Sequence, residues 1–233
     1  MMPTHGEYVV NVRTSSASVA YTAPFAAFLV FLALDRALGL PPSVMYPIRV
    51  VVTTAVLFLV SRRVIRLRPT APVTSIAFGL AVFLIWIGPD LLWPAYRSHW
   101  LFANSITGTL RFDAPTALKS DLFFLFFRVA GSAVLVPIIE ELFWRAWLMR
   151  WLIRPDFENV ALGAFRLSAF CLTAVLFASE HGPYWDVGLA AGIAYNWWMV
   201  RTRSLADCIL AHAVTNGALA AYVLTQNKWQ YWL

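Results

Sequence analysis

Charge is scarce in this chain. Asp, Glu, Lys and Arg make up 13% of its 233 residues, against about 25% in soluble domains. Hydrophobic residues make up 60%, more apolar surface than a water-soluble fold of this length can hide, which excludes an ordinary soluble globular protein. Cysteine is limited to Cys171 and Cys208, both in apolar stretches, and these read as small core residues rather than as a disulfide. Only four histidines occur, and no two lie one helical turn apart, so the H-E-x-x-H zinc signature is missing. The net charge of +6 is dispersed over short loops rather than massed on one basic tract. That pattern argues against nucleic acid as a partner and fits orientation in, and contact with, an anionic lipid bilayer. No internal repeat, low-complexity tract or cleavable signal peptide stands out. The first span is therefore expected to stay as an anchor.

What is present is a series of apolar runs long enough to cross a bilayer, which takes about 17–25 residues each. They fall at Val19–Ala37, Val44–Val60, Val73–Leu92, Leu122–Ile139, Val160–Ala178, Val187–Val200 and Leu205–Thr225. A further helical stretch, Glu140–Ile153, continues the fourth run beyond Pro137, where a kink is expected. The predicted fold class is all-α: a polytopic transmembrane bundle of seven helices, or eight if Pro137 separates two, around a polar intramembrane cavity. Residues 1–18 are read as a polar N-terminal segment, 19–118 as the N-terminal transmembrane helices, 119–225 as a transmembrane core that carries the polar clusters and 226–233 as a tail. The connection from Arg97 to Asp121 is the longest polar one and carries no motif.

Basic residues concentrate at Arg62, Arg63, Arg66 and Arg68, at Arg145, Arg150 and Arg154, and at Arg201 and Arg203. The positive-inside rule asks for all three groups on the cytoplasmic side. Seven spans satisfy that rule but place His181 at the opposite end of its span from Glu140 and His212. A shared site then requires a helix that is re-entrant, tilted or deeper than these boundaries suggest.

Polar groups inside the apolar runs carry the chemistry. A carboxylate at the centre of a spanning helix costs about 2.5–3.5 kcal/mol on insertion scales, and the stretch VPIIEELFWRAWLM holds two, Glu140 and Glu141, with Arg145. Residues four apart share a helix face, whereas residues five apart are rotated by about 140°. Glu141 can therefore pair with Arg145, leaving Glu140 as a candidate general base. A structural ion pair beside an interfacial glutamate is the plainer alternative. His212 and Asn216 are also four apart, in LAHAVTNGALAAY, and can bind water, donate to an oxyanion or simply join helices. His181 follows Phe177 by one turn and precedes Gly182-Pro183, which ends the helix. Arg128 and Arg166, near span ends, read as snorkelling side chains, and Glu180 as a solvated end residue.

The ordered set E-E-x-x-x-R, F-x-x-x-H and H-x-x-x-N, over about residues 120–225, resembles the CAAX prenyl protease and bacteriocin-processing family of membrane proteases. Within it, VPIIEELFWRAWLMRWL, LFASEH and LAHAVTNG look like the bacterial branch associated with exosortase and PEP-CTERM sorting. The resemblance implies a metal-independent intramembrane endopeptidase without a cofactor, in a bacterial inner membrane, acting on a membrane protein or peptide. It implies that Glu140 activates water with help from His181, that His212 and Asn216 hold the oxyanion, and that Glu141 and Arg145 support them.

Other readings stay open. Two histidines with Glu140 could ligate Zn²⁺. Cys208 and His212 share a face and could support a thiol mechanism. A scaffold, immunity factor or transporter could use the same polar groups for packing or proton coupling, although transport would favour an internal repeat.

Overall fold

The computed structural model describes residues 12–93, 95–104, 106–108 and 114–232. Its helices are α1 (Val12–Leu38), α2 (Pro42–Ser61), α3 (Pro72–Leu92), α4 (Leu122–Trp151), α5 (Leu167–Ser179), α6 (Trp185–Thr202) and α7 (Leu205–Gln226), with a five-residue helix at Thr116–Ser120. No strand occurs among the described residues. The apolar part of α1 (Ala17–Asp35) and helices α2, α3, α4 and α7 are long and apolar enough to cross a membrane. The chain is thus a multi-pass helical membrane bundle. Most of the expected polar segment, residues 1–11, lies outside the described residues, while α1 already begins at Val12.

The helix boundaries follow local chemistry. Pro42 and Pro72 occupy the first turns of α2 and α3, where a missing N–H costs no intrahelical bond. Asp121 caps α4, its side chain accepting from the Phe124 N–H at 3.0 Å. Ser204 caps α7 in the same way, accepting from the Asp207 N–H. Arg203 and Asn227 end α6 and α7 in the left-handed conformation, at φ 53° and 55°.

Three sequence expectations change. Pro137 does not divide the fourth run: α4 is one helix of 30 residues. Turns of wider, π-type winding at Gly131–Leu135 and Leu142–Leu148 flank the proline and absorb its missing bond. The run expected at Val160–Ala178 is helical only from Leu167, for 13 residues. At 1.5 Å per residue α5 rises about 20 Å, short of the roughly 30 Å hydrocarbon core. Cys171 is exposed on α5 rather than packed in the core, whereas Cys208 is buried, and both are free.

The short α5 removes the topological conflict. Residues at the far ends of α2, α4 and α6 and the start of α7 gather at one end of the bundle around Arg63, Arg150, Arg203 and Ser204. From that end, α7 reaches His212 after about 10 Å, and α4 reaches Glu140 about 16 Å in from Trp151. The C-terminal end of α5 arrives at a comparable depth. His181 therefore meets the other groups without any re-entrant helix.

Packing is closest where small residues meet. The α3–α7 contact is the most extensive in the bundle, and a Cβ on Gly79 would sit 2.3 Å from the Ala211 carbonyl oxygen and 2.9 Å from Val214 Cβ. Outward faces carry exposed apolar side chains such as Phe58, Leu59, Val73, Leu84 and Phe123, as lipid contact requires. The interior holds Glu141, Arg145, Asn196, Asp207 and Thr215, each fully buried. Asp207 accepts from the Thr70 and Ala71 backbone N–H groups and the Thr70 and Ser75 hydroxyls, all within 2.9 Å, tying the α2–α3 connection to α7. We predict that Gly79→Ala forces α3 away from α7 and costs about 1–3 kcal/mol. Thermal unfolding in detergent measures this, and an unchanged melting temperature would contradict so close an approach.

Candidate active site

The site is built on the irregular stretch of α4. In the π-type turn, the Val136 N–H donates to the Gly131 carbonyl. The next bond in that register would join residue 137 to the Ser132 carbonyl, and proline has no N–H to give. The Asn216 side-chain amide on α7 donates to that freed carbonyl at 2.8 Å. A proline in one helix thus creates the acceptor that docks another.

One turn further along α4, Glu141 is completely buried. Its Oε1 accepts from Arg145 Nη1 at 2.9 Å and contacts His212 Nδ1 at 2.9 Å. A carboxylate oxygen can only accept, so the proton between Glu141 and His212 sits on Nδ1 when Glu141 is ionised beside Arg145. Arg145, also completely buried, donates through Nε to Asn196 Oδ1 at 3.1 Å, and Asn196 Nδ2 donates to the Phe170 carbonyl at 2.9 Å. The guanidinium lies over the Phe177 ring at 4.5 Å and the Tyr195 ring at 5.3 Å. Four helices, α4, α5, α6 and α7, meet in this one network.

The histidine rings are held on both faces and edges. Tyr195 stacks on His212 with centroids 4.8 Å apart, and its hydroxyl donates to Thr215 Oγ1 at 2.8 Å. Thr215 in turn donates to the Gly79 carbonyl at 2.8 Å. His181 lies between Phe177 at 4.7 Å and Trp86 at 5.3 Å, and its Nδ1 is 2.7 Å from the Phe177 carbonyl. A carbonyl partner requires the proton on Nδ1, so Nε2 of neutral His181 is an acceptor.

Glu140 faces away from the ion pair. Together with His181, His212 and Asn216 it lines a cavity of about 160 Å³. The Glu140 Oε2 atom is buried and makes no hydrogen bond within the protein. The volume accommodates a few waters at about 30 Å³ each. Glu140, Glu141, Arg145, His181, His212 and Asn216 therefore come together, as a cavity group of four backed by the Glu141–Arg145 pair.

Arg128 differs from its expected role at the interface. It lines the same cavity and donates to the Tyr46 hydroxyl at 3.0 Å and the Trp232 carbonyl at 2.8 Å. Tyr231 and Trp232 close the cavity from the C-terminal side. The Tyr231 hydroxyl donates to Asp90 at 2.7 Å, and burial followed by that bond pushes its phenol above the ordinary range. The featureless connection after α3 supplies buried Arg97, which pairs with Asp90 at 3.0 Å and Asp186 at 2.7 Å and donates to the Pro183 carbonyl beside His181. Arg166 donates to the Ile153 carbonyl, and Glu180 is exposed as expected.

Sequence reasoning missed Tyr195, Asn196 and Thr215. Asn196 had one available signal, a lone amide in the apolar stretch IAYNWWMV; the other two had none. Cys208 contacts the Tyr195 carbonyl at 3.8 Å and does not line the cavity. Among the described residues no group of three His, Cys, Asp or Glu side chains is placed to hold a metal ion.

Residues 122–218 match the family model described as type II CAAX prenyl endopeptidase Rce1-like. The match is to the family as a whole and assigns no branch within it. No curated protein and no solved structure matches the chain. We predict that Arg145→Ala, which leaves Glu141 without its cation, costs about 3–5 kcal/mol. Asn196→Ala, which strips one hydrogen-bond partner, should cost about 1–3 kcal/mol. Melting temperatures equal to the parent for both variants would contradict the network.

Proposed function

We propose, from the match of residues 122–218 to the family model of Rce1-like CAAX prenyl endopeptidases, that the chain is an intramembrane endopeptidase using a glutamate-activated water. The observation that carries the mechanism is the unpartnered Glu140 Oε2 in a cavity shared with His181, His212 and Asn216. A carboxylate so placed can take a proton from water bound in the cavity. The Nε2 lone pair of His181 accepts the water's other hydrogen and orients its oxygen towards the scissile carbonyl. As the C–O bond forms, the carbonyl oxygen gains charge. The second N–H of the Asn216 amide, the first being given to Ser132, donates to it. His212, held at Nδ1 by Glu141, can donate as well when its Nε2 carries a proton. Collapse breaks the C–N bond, and the proton held by Glu140 passes to the leaving amine.

Glu141 and Arg145 hold His212 and act through it, so they are positioning residues. The substrate is a membrane-associated protein or peptide, since the cavity lies within a bundle whose helices are long and apolar enough to cross a membrane.

Hydrolysis of a membrane-inserted peptide by the purified protein in liposomes tests the reading. Glu140→Gln keeps the shape but cannot accept a proton, and it should lower kcat by about 10²–10⁴. Full activity in that variant would sink the glutamate mechanism. His212→Ala should lower kcat by about 10²–10³ with KM little changed. Activity lost to a chelator and restored by Zn²⁺ would transfer the reaction to a metal.

A further inference from the structure

A second cavity, of about 480 Å³, lies at the end of the bundle where α2, α4 and α6 finish and α7 begins. Arg63, Arg66, Arg68, Arg150 and Arg203 line it, and no carboxylate does. Among the described residues none of these five arginines forms an ion pair with a carboxylate. Arg150 is buried to 6% exposure and is held in place by backbone carbonyls, donating through Nη1 to Val160 at 3.0 Å. The nearby Asp207 carboxylate is turned away and occupied by Thr70, Ala71 and Ser75. Leu162 and Leu205 add apolar side chains to the lining, and Ser204 at the start of α7 adds a hydroxyl.

Arginines set around a cavity without counter-ions repel one another, and the arrangement is stabilised when an anion is shared among them. One phosphodiester would leave most of the charge uncompensated; two phosphates balance more of it. We propose that this cavity binds a ligand carrying two phosphate groups. The apolar side chains in the lining, and the position at the end of the spanning helices, favour the headgroup of a diphosphate-bearing phospholipid. A soluble diphosphate has the same recognition chemistry without the acyl chains.

The test uses the full chain, delipidated in detergent or placed in phosphatidylcholine nanodiscs. Inorganic pyrophosphate is titrated in one arm, and diphosphatidylglycerol is added to the nanodiscs in the other, with the melting temperature and native mass spectrometry as readouts. A saturable rise in melting temperature is expected. A rise with the lipid alone supports the headgroup, a rise with pyrophosphate alone supports a soluble ligand, and a rise with both supports the shared phosphate chemistry. Arg66→Gln with Arg203→Gln, both on exposed side chains, should weaken the effective probe about tenfold or more. Arg62→Gln with Arg201→Gln removes equal charge outside the cavity and should change affinity by less than about twofold. No rise with either probe, or an equal loss in the two double variants, overturns the proposal.

Discussion

The structure depends on a single buried carboxylate. Glu141 is fully enclosed and has its charge shared between Arg145 on its own helix and His212 on α7. Removing Arg145 would leave an uncompensated charge in the buried interior, which is far costlier than losing an exposed ion pair. That constraint fixes the relative depth of α4 and α7. Through Arg145 and Asn196 it extends to α6, and through the Phe170 carbonyl to α5. Helices that would otherwise slide past one another in lipid, where apolar contact alone gives little preference, are held in one register.

Around that centre, backbone irregularities perform tasks that a regular helix could not. Pro137 withholds an N–H, the Ser132 carbonyl is left free, and Asn216 supplies the missing donor. The same amide retains a second N–H that the carbonyl does not use. Gly79 allows α3 to lie against Ala211, directly before His212 in the chain. These are close-range features: each works because a group is absent, an N–H in one case and a side chain in the other. They concentrate beside the cavity, where local rules of helix regularity are broken in favour of side-chain placement.

Two ends of the bundle carry different polar chemistry. At one end, five arginines and no carboxylate line a broad cavity. The other joins Arg97 to Asp90 and Asp186 next to the turn that holds His181, and closes over the Glu140 cavity with Tyr231 and Trp232. The cavity lined by Glu140, His181, His212 and Asn216 lies between them. A full-length helix in place of the 13-residue α5 would carry His181 away from Glu140.

The sequence by itself determined the class, the pairing and the candidate residues. Scarce charge and long apolar runs required a membrane bundle, because no soluble fold can bury so much. The four-residue spacing of Glu141 and Arg145 allowed their pairing, and left Glu140 on another face, because helix geometry relates near neighbours directly. Tertiary structure alone decided what lies between distant residues: that His212 meets Glu141 across 71 positions, that Asn196 completes the arginine's partners, and that Arg128 and Arg97 serve the interior. It also decided the depth of His181, since hydropathy marks where a chain is apolar and not where a helix starts; residues 160–166 are apolar enough but do not begin one. A single sequence encodes local periodicity openly. The contacts between helices arise only when each buried polar group must find a partner among all those that packing brings within reach.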